Sequence, residues 1–182
     1  MIEQRKKLIH WLFEKTRIIY CRFKKKVPWE ITTLQLLQLP STTFGYRLGS
    51  FLLKNGFELL PKVERHDAYH VLTGFSTRVE DEIALQYLCF GNGKRTPYLL
   101  GVLLLGTLLL PEYAGYYLDS FRIGKQLGPF HHYDYKLLLK QSFDEFKGSI
   151  FSEEQRINLE QLQQRYSYHH LSNTHYYGTK KK

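Results

Sequence analysis

The sequence predicts an all-α fold: a single-domain helical bundle with a basic N-terminal helix and a frayed C-terminal tail. Apolar residues recur every three or four positions in successive windows, as one face of a helix requires. Proline and glycine interrupt the chain at helix-length intervals. No stretch alternates polar and apolar residues between turn signals long enough to make a strand.

The first helix is expected over residues 2–26, where Leu8, Trp11, Leu12, Ile19 and Phe23 recur near helical spacing. Arg5, Lys6, Lys7, Lys15, Arg17 and Arg22 lie largely between them. Such a helix either packs on the core with its basic face in water or lies on an anionic membrane. Lys24-Lys25-Lys26 and Pro28 end it. A connector around a short helical piece at 32–39 follows. Thr42 or Thr43 is suited to cap a helix over 44–59, which Pro61 closes. The next helix runs over 64–72 and stops at Thr73-Gly74, and Ser76-Thr77 is suited to cap another over 79–90. Gly91-Asn92-Gly93 is a break. Pro97 then opens a helix through Leu110, and Pro111 ends it. Helices are expected at 112–127, 143–150 and 152–166, with 131–139 extended or irregular. The chain thus divides into a basic amphipathic helix over 1–27, a helical domain over 28–166 and a flexible basic tail over 167–182.

The 182 residues suit one domain plus tails, and 43% hydrophobic content is enough to form a core. Cys21 and Cys89 form no CxxC pair and allow one disulfide at most. A net charge of +9, from 26 Lys+Arg against 17 Asp+Glu, favours anionic partners. No zinc-finger, RNP or helix-turn-helix signature accompanies it, so no nucleic acid is expected. No secretory signal is expected, and residues 1–26 carry Glu3 and Glu14 but no Ser, unlike a transit peptide. The longest apolar run, YLLGVLLLGTLLL, is 13 residues, short of the roughly 20 that span a bilayer.

The candidate functional residues are His66, Asp67, His70 and Glu82. His66 and His70, four apart, stand a turn apart on one helical face with Cβ atoms about 5–6 Å from each other. Asp67 is on the adjoining edge. Gly74 lets the chain turn so that a second helix can bring Glu82 back to the first. Imidazoles and carboxylates on packed helices suit zinc, iron or manganese, and a small protein ligand set leaves positions open for substrate. Judged by spacing alone, ordinary surface charge remains the alternative. His131-His132 and His169-His170 lack a partner at ligand spacing and read as surface residues.

HDAYHVLTG followed by Glu82 resembles the HDxxH-x11-E motif of the coenzyme Q (ubiquinone) biosynthesis family named for the fourth Coq protein. HVLTG at 70–74 and EIALQ at 82–86 are close to the family's wording. Gly45-Tyr46-Arg47-Leu48-Gly49 and Gly56 resemble its preceding helix, and Arg122-Ile123-Gly124-Lys125 with residues 129–150 follow its C-terminal pattern. The likeness covers roughly residues 40–150. It departs at Asp134-Tyr135-Lys136, where the family often has Asp-Trp-Glu.

The resemblance implies an all-α protein of ubiquinone synthesis, peripheral to a membrane on its cytoplasmic side. It implies a divalent metal, most often zinc, held by His66, Asp67, His70 and Glu82, which would also be the catalytic residues. Expected partners are a prenylated quinone precursor or isoprenoid lipid, an anionic membrane and other quinone-synthesis proteins; a homodimer is compatible with this. The implied activity is removal of the carboxyl group at ring carbon 1 and hydroxylation there, with a lipid-binding scaffold as the alternative. Residues 99–106 are apolar all round, which suits a buried core helix or the lining of an isoprenoid groove. Arg122 and Lys125 are candidates for meeting an anionic head group.

Overall fold

The computed structural model describes residues 2–178, excepting the side chains of Arg17, Ile18, Tyr20 and residues 167–178. Nine α-helices and one 3-10 turn follow one another, with no β-strand among the described residues. They are α1 (Ile2–Phe23), α2 (Thr33–Leu37), α3 (Phe44–Asn55), α4 (Glu64–Thr73), α5 (Val79–Gly91), α6 (Pro97–Leu109), the 3-10 turn Pro111–Tyr113, α7 (Ala114–Gln126), α8 (Phe143–Ile150) and α9 (Glu153–Gly178). The all-α, single-domain expectation holds. The expected flexible tail over 167–182 falls outside the residues with described side chains, and its last four residues lie outside the described chain altogether.

Local chemistry sets most boundaries. Thr43 caps α3 by accepting the Tyr46 N–H, and Thr96 caps α6 by accepting the Leu99 N–H beside Pro97. Gly56 at φ +66 ends α3, so the helix stops short of the expected residue 59. Gly74 at φ +81 ends α4 in the left-handed region, where a side chain would be strained. Ser76 and Thr77 do not cap α5, because Arg78 is its first flanking residue. Ser76 Oγ instead accepts the Arg78 N–H at 3.3 Å and donates to the Asp81 carboxylate.

α5 and α7 form the central pair. Their backbones approach so closely that a Cβ at Gly124 would lie 2.1 Å from the Leu88 carbonyl, and one at Gly91 2.2 Å from the Phe121 carbonyl. α6 packs on the other side of α5, with Gly106 seated on Ile83, and α9 packs on α7. The irregular stretch between α7 and α8 buries Phe130, Tyr135 and Leu139. Tyr135 sits among Phe44, Tyr69 and Phe146 at ring separations of 5.7, 5.7 and 6.0 Å and donates to the Phe130 carbonyl. At Asp134-Tyr135-Lys136 the tyrosine therefore fills a core slot, while both charged neighbours are exposed.

The packed side of α1 departs from expectation. Lys6, Ile9 and Phe13 face inward, whereas Leu8, Trp11, Ile19 and Phe23 are exposed. The physical reason is Glu80, buried on α5 and requiring a cation. Lys6 Nζ meets its carboxylate at 3.0 Å, which fixes how α1 is rotated. The helix lies against α5 and α6, and Arg5 reaches the Leu109 carbonyl at 2.9 Å and Glu112 at 2.8 Å. α6 is a core helix on one face alone: Leu99, Val102 and Leu103 are buried, while Leu104 and Leu108 are 70% and 72% exposed and line no part of the cavity described below. No single helix among the described residues is long and apolar enough to cross a membrane. α6 and the segment Pro111–Gln126 turn by 105° at their junction.

Candidate metal centre

α4 carries His66 and His70 a turn apart, and their rings meet edge-on at 4.8 Å between centroids. The left-handed Gly74 reverses the chain, and the Ser76–Arg78–Asp81 network pins the turn that follows. Arg78 Nε and Nη2 each lie 2.9 Å from Asp81 Oδ2, and the buried Tyr116 hydroxyl donates to Asp81 Oδ1 at 3.0 Å. Glu82 is the next residue, in the first turn of α5, and it points back at α4.

His66, His70 and Glu82 each present a ligand atom, and these atoms all lie within 4.8 Å of one another. Glu82 Oε1 is 3.1 Å from His70 Nε2, and Oε2 is 3.3 Å from His66 Nε2. Edges of a tetrahedron with metal–ligand bonds of about 2.1 Å are about 3.4 Å long, close to these separations. The other nitrogen of His70 lies 3.0 Å from the Phe75 carbonyl, which can only accept. Nδ1 therefore carries the hydrogen of that bond. The lone-pair side of the buried His70 Nε2 then faces the half-buried Glu82 carboxylate, which calls for a proton or a metal ion between them. The donor set thus fits a divalent ion. Phe51 stacks on the His70 ring at 5.4 Å and holds its plane.

Asp67 stands apart from this trio, its Oδ1 3.9 Å from His66 Nδ1, on the opposite side of that ring from Glu82. Burial disfavours the His66 cation, but the Glu82 and Asp67 carboxylates outweigh it and push the imidazole up to about 9. Burial likewise opposes charge on Glu82, yet the two histidines hold its carboxyl well below the usual carboxylate range.

The trio opens into a cavity of about 890 Å³. One part of its wall is apolar, from Phe13 of α1, Val63, Tyr98 and Val102. Another is basic, from Lys24, Lys26, Arg65 and Lys94. Sequence reasoning missed this basic wall, whose residues come from three separate segments. It also set aside His131, which lines the cavity and holds its Nδ1 3.3 Å from Asn92 Oδ1. Arg122 and Lys125, the expected head-group residues, are elsewhere: Arg122 pairs with Asp119 at 2.9 Å and Lys125 lies over the Phe121 ring.

No protein-family model and no curated protein matches the sequence. Among solved structures, the chain is similar to a crystal structure provisionally named a ubiquinone biosynthesis protein, from Nostoc punctiforme PCC 73102. The two share 20% sequence identity, and the alignment covers 84% of this chain and 79% of that one. With a TM-score of 0.57, the likeness is one of fold.

Proposed function

We propose that this chain is a metal-binding protein of ubiquinone synthesis, holding a divalent ion through His66, His70 and Glu82 and a prenylated aromatic precursor in the adjoining cavity. The observation that carries it is the His70 ring, locked by the Phe75 carbonyl with its free nitrogen 3.1 Å from Glu82. The fold neighbour's name and the HDxxH wording support the pathway. Zinc fits the donor set, and so do iron and manganese.

The chemistry suited to this site is removal of a ring carboxylate. Loss of carbon dioxide leaves an electron pair on the ring carbon, and a proton must arrive there. A bound divalent ion supplies a Lewis acid for the charge that builds on the ring. Glu82 neutralises part of the ion's charge and fixes the two imidazoles. Asp67, outside the facing trio but beside His66, is the residue for carrying the proton, or a fourth ligand when substrate enters. Phe13, Tyr98 and Val102 keep water from the ring and bed its apolar chain. Hydroxylation at the same carbon would need dioxygen as the oxidant and iron, manganese or an organic partner to activate it, because zinc has no redox chemistry.

The test is the quinone profile of cells lacking the protein, followed by incubation of purified metal-loaded protein with the accumulated precursor. A carboxylated precursor should build up, and carbon dioxide should be released in vitro. An unchanged quinone profile refutes the pathway assignment.

A second reading, a scaffold on an anionic membrane, has its own observation. Leu100, Leu104, Leu105 and Leu108 of α6 are exposed, as are Leu8 and Trp11 of α1, the helix packed against it. Lys7 and Lys15 of α1 are exposed as well. Exposed leucines on α6 and an adjoining helix that carries exposed cations suit insertion below anionic head groups. Flotation with anionic vesicles should fall several-fold in Leu104→Ser/Leu108→Ser, whose side chains contribute little to the core. Equal flotation of both proteins rejects this face as the anchor.

A further inference from the structure

His131 lines the cavity without belonging to the metal trio, and both its backbone and its ring are anchored. Its carbonyl accepts the Tyr69 hydroxyl at 3.0 Å and Arg65 Nη1 at 3.4 Å. Its ring lies against Gly93, at φ +102, where a Cβ would come 3.1 Å from His131 Cε1. Its Nδ1 lies 3.3 Å from Asn92 Oδ1.

Asn92 decides which ring nitrogen carries the hydrogen. Asn92 Nδ2 donates to the carbonyls of Gly124, Leu127 and Gly128 at 3.2, 3.4 and 3.2 Å. A flipped amide would set its oxygen against three other oxygens, so the orientation is fixed. Asn92 Oδ1 also accepts the Phe130 N–H at 2.9 Å. Because this oxygen can only accept, His131 Nδ1 is the donor, and in the neutral ring Nε2 keeps its lone pair. Among the described residues no hydrogen bond engages Nε2, and the atom is not sealed in the core. Arg65 on α4, Lys94 in the break after α5 and the adjoining His132 act on the ring. Burial, His132 and the two cations outweigh the Asn92 contact and hold the imidazole below the usual histidine range.

A neutral imidazole with a fixed tautomer and an open nitrogen is equipped to act as a general base. A 1,4-quinone carries its two oxygens on opposite ring carbons. An aromatic precursor with a carboxylate at carbon 1 therefore carries its other oxygen as a hydroxyl opposite. We propose that His131 Nε2 is the base for that ring hydroxyl, a second catalytic residue that handles a different proton from Asp67. The inference rests on the proposed function and names how the substrate's ring is activated. The hydroxyl O–H bond breaks as the Nε2–H bond forms, and the oxygen's electron pair raises the electron density at carbon 1. A proton arrives there from Asp67. As carbon dioxide leaves, the C–C electron pair returns through the ring to the oxygen, and the imidazolium gives its proton back. The net change is one proton taken up at carbon 1 and one carbon dioxide released from the carboxylate.

The experiment titrates the full chain, as purified and after chelation, with 2-octyl-4-nitrophenol and with 2-octyl-4-nitroanisole. In both probes the nitro group stands for the carboxylate. The yellow phenolate band of the first reports where the hydroxyl proton is, and the second has no O–H. Both preparations should bind the phenol about tenfold tighter than the anisole. The phenolate band should appear on binding at a pH below the free probe's own pKa. His131→Phe should remove both the preference and the band. His131→Gln retains an acceptor but no base, so it should keep part of the preference and lose the band. Anisole binding and metal content should stay at the parent's level in both variants, which a merely structural role would not allow. Equal binding of phenol and anisole by the parent, a phenolate band that survives both substitutions, or no binding of either probe overturns the assignment of His131. None of these outcomes touches the metal centre, whose failure shows separately as absence of metal in the same preparations.

Discussion

Purified His70→Ala and Glu82→Ala proteins should contain only background divalent metal, where the unaltered chain carries about one ion per molecule by elemental analysis. Loss of a partner that merely orients a ligand costs about 10–100-fold in affinity, so removing a ligand should cost about 100-fold or more. Asp67→Ala, beside His66 but outside the facing trio, should cost less. Full occupancy in both His70→Ala and Glu82→Ala rejects the site. The pH dependence gives a second reading of the same geometry. Without metal, His66 is raised to about 9, so its proton adds stability that is fully present below its unfolded value of about 6.5 and is lost as pH rises through 9. Glu82 is depressed, so its contribution is present above about 4.5 and is lost as pH falls below that. The melting temperature of metal-free protein should therefore decline between pH 6.5 and 9. Metal must displace the His66 proton, so its affinity should rise about tenfold per pH unit over the same interval and then level off. A metal affinity that is flat across that interval contradicts the assignment of His66.

Asp81→Ala should be the most destabilising single change near the site, lowering the urea-unfolding free energy by about 3–5 kcal/mol. The carboxylate is nearly fully buried and accepts from Ser76, Arg78 and Tyr116 at once. Truncation strands the Tyr116 hydroxyl in the core and frees the Arg78 guanidinium. Because this network fixes the turn before Glu82, metal affinity should fall as well, although Asp81 touches no ligand atom. Asp81→Asn separates the two effects: it keeps an acceptor for Tyr116 but weakens the Arg78 pair, and should lose about half as much stability. An Asp81→Ala protein as stable as the parent would mean that the network is not what holds the turn.

The elements legible in the sequence were those written in local chemistry. Thr43, Gly74 and Pro97 mark helix ends because their effects act within a few residues. The meeting of His66, His70 and Glu82 was also readable, since one helical turn and one glycine reversal bring them together. The rotation of α1 was not. Hydrophobic spacing points to Leu8 and Trp11, but the partner that decides the matter is Glu80, far along the chain. The basic wall was invisible for the same reason. Lys24, Lys26, Arg65 and Lys94 belong to three segments, and only the packed chain shows that they share one cavity. The apolar run of α6 could be read either way because hydropathy alone does not say which leucines find neighbours. α5 covers one side and leaves the other open.

α1 has two audiences. His10, Phe13 and Glu14 look into the cavity, while Leu8 and Trp11 of the same rigid rod look outward. A helix cannot turn one side without turning the other. Any rotation or lift of α1 that a ligand induces from within changes the surface offered to the surroundings, and a contact made outside is felt within. Two binding events that both moved α1 would be thermodynamically linked, each altering the other's affinity by the same factor. Under the proposed function, filling the cavity and settling on a surface would act on one and the same helix, which the Lys6–Glu80 pair at 3.0 Å ties to α5.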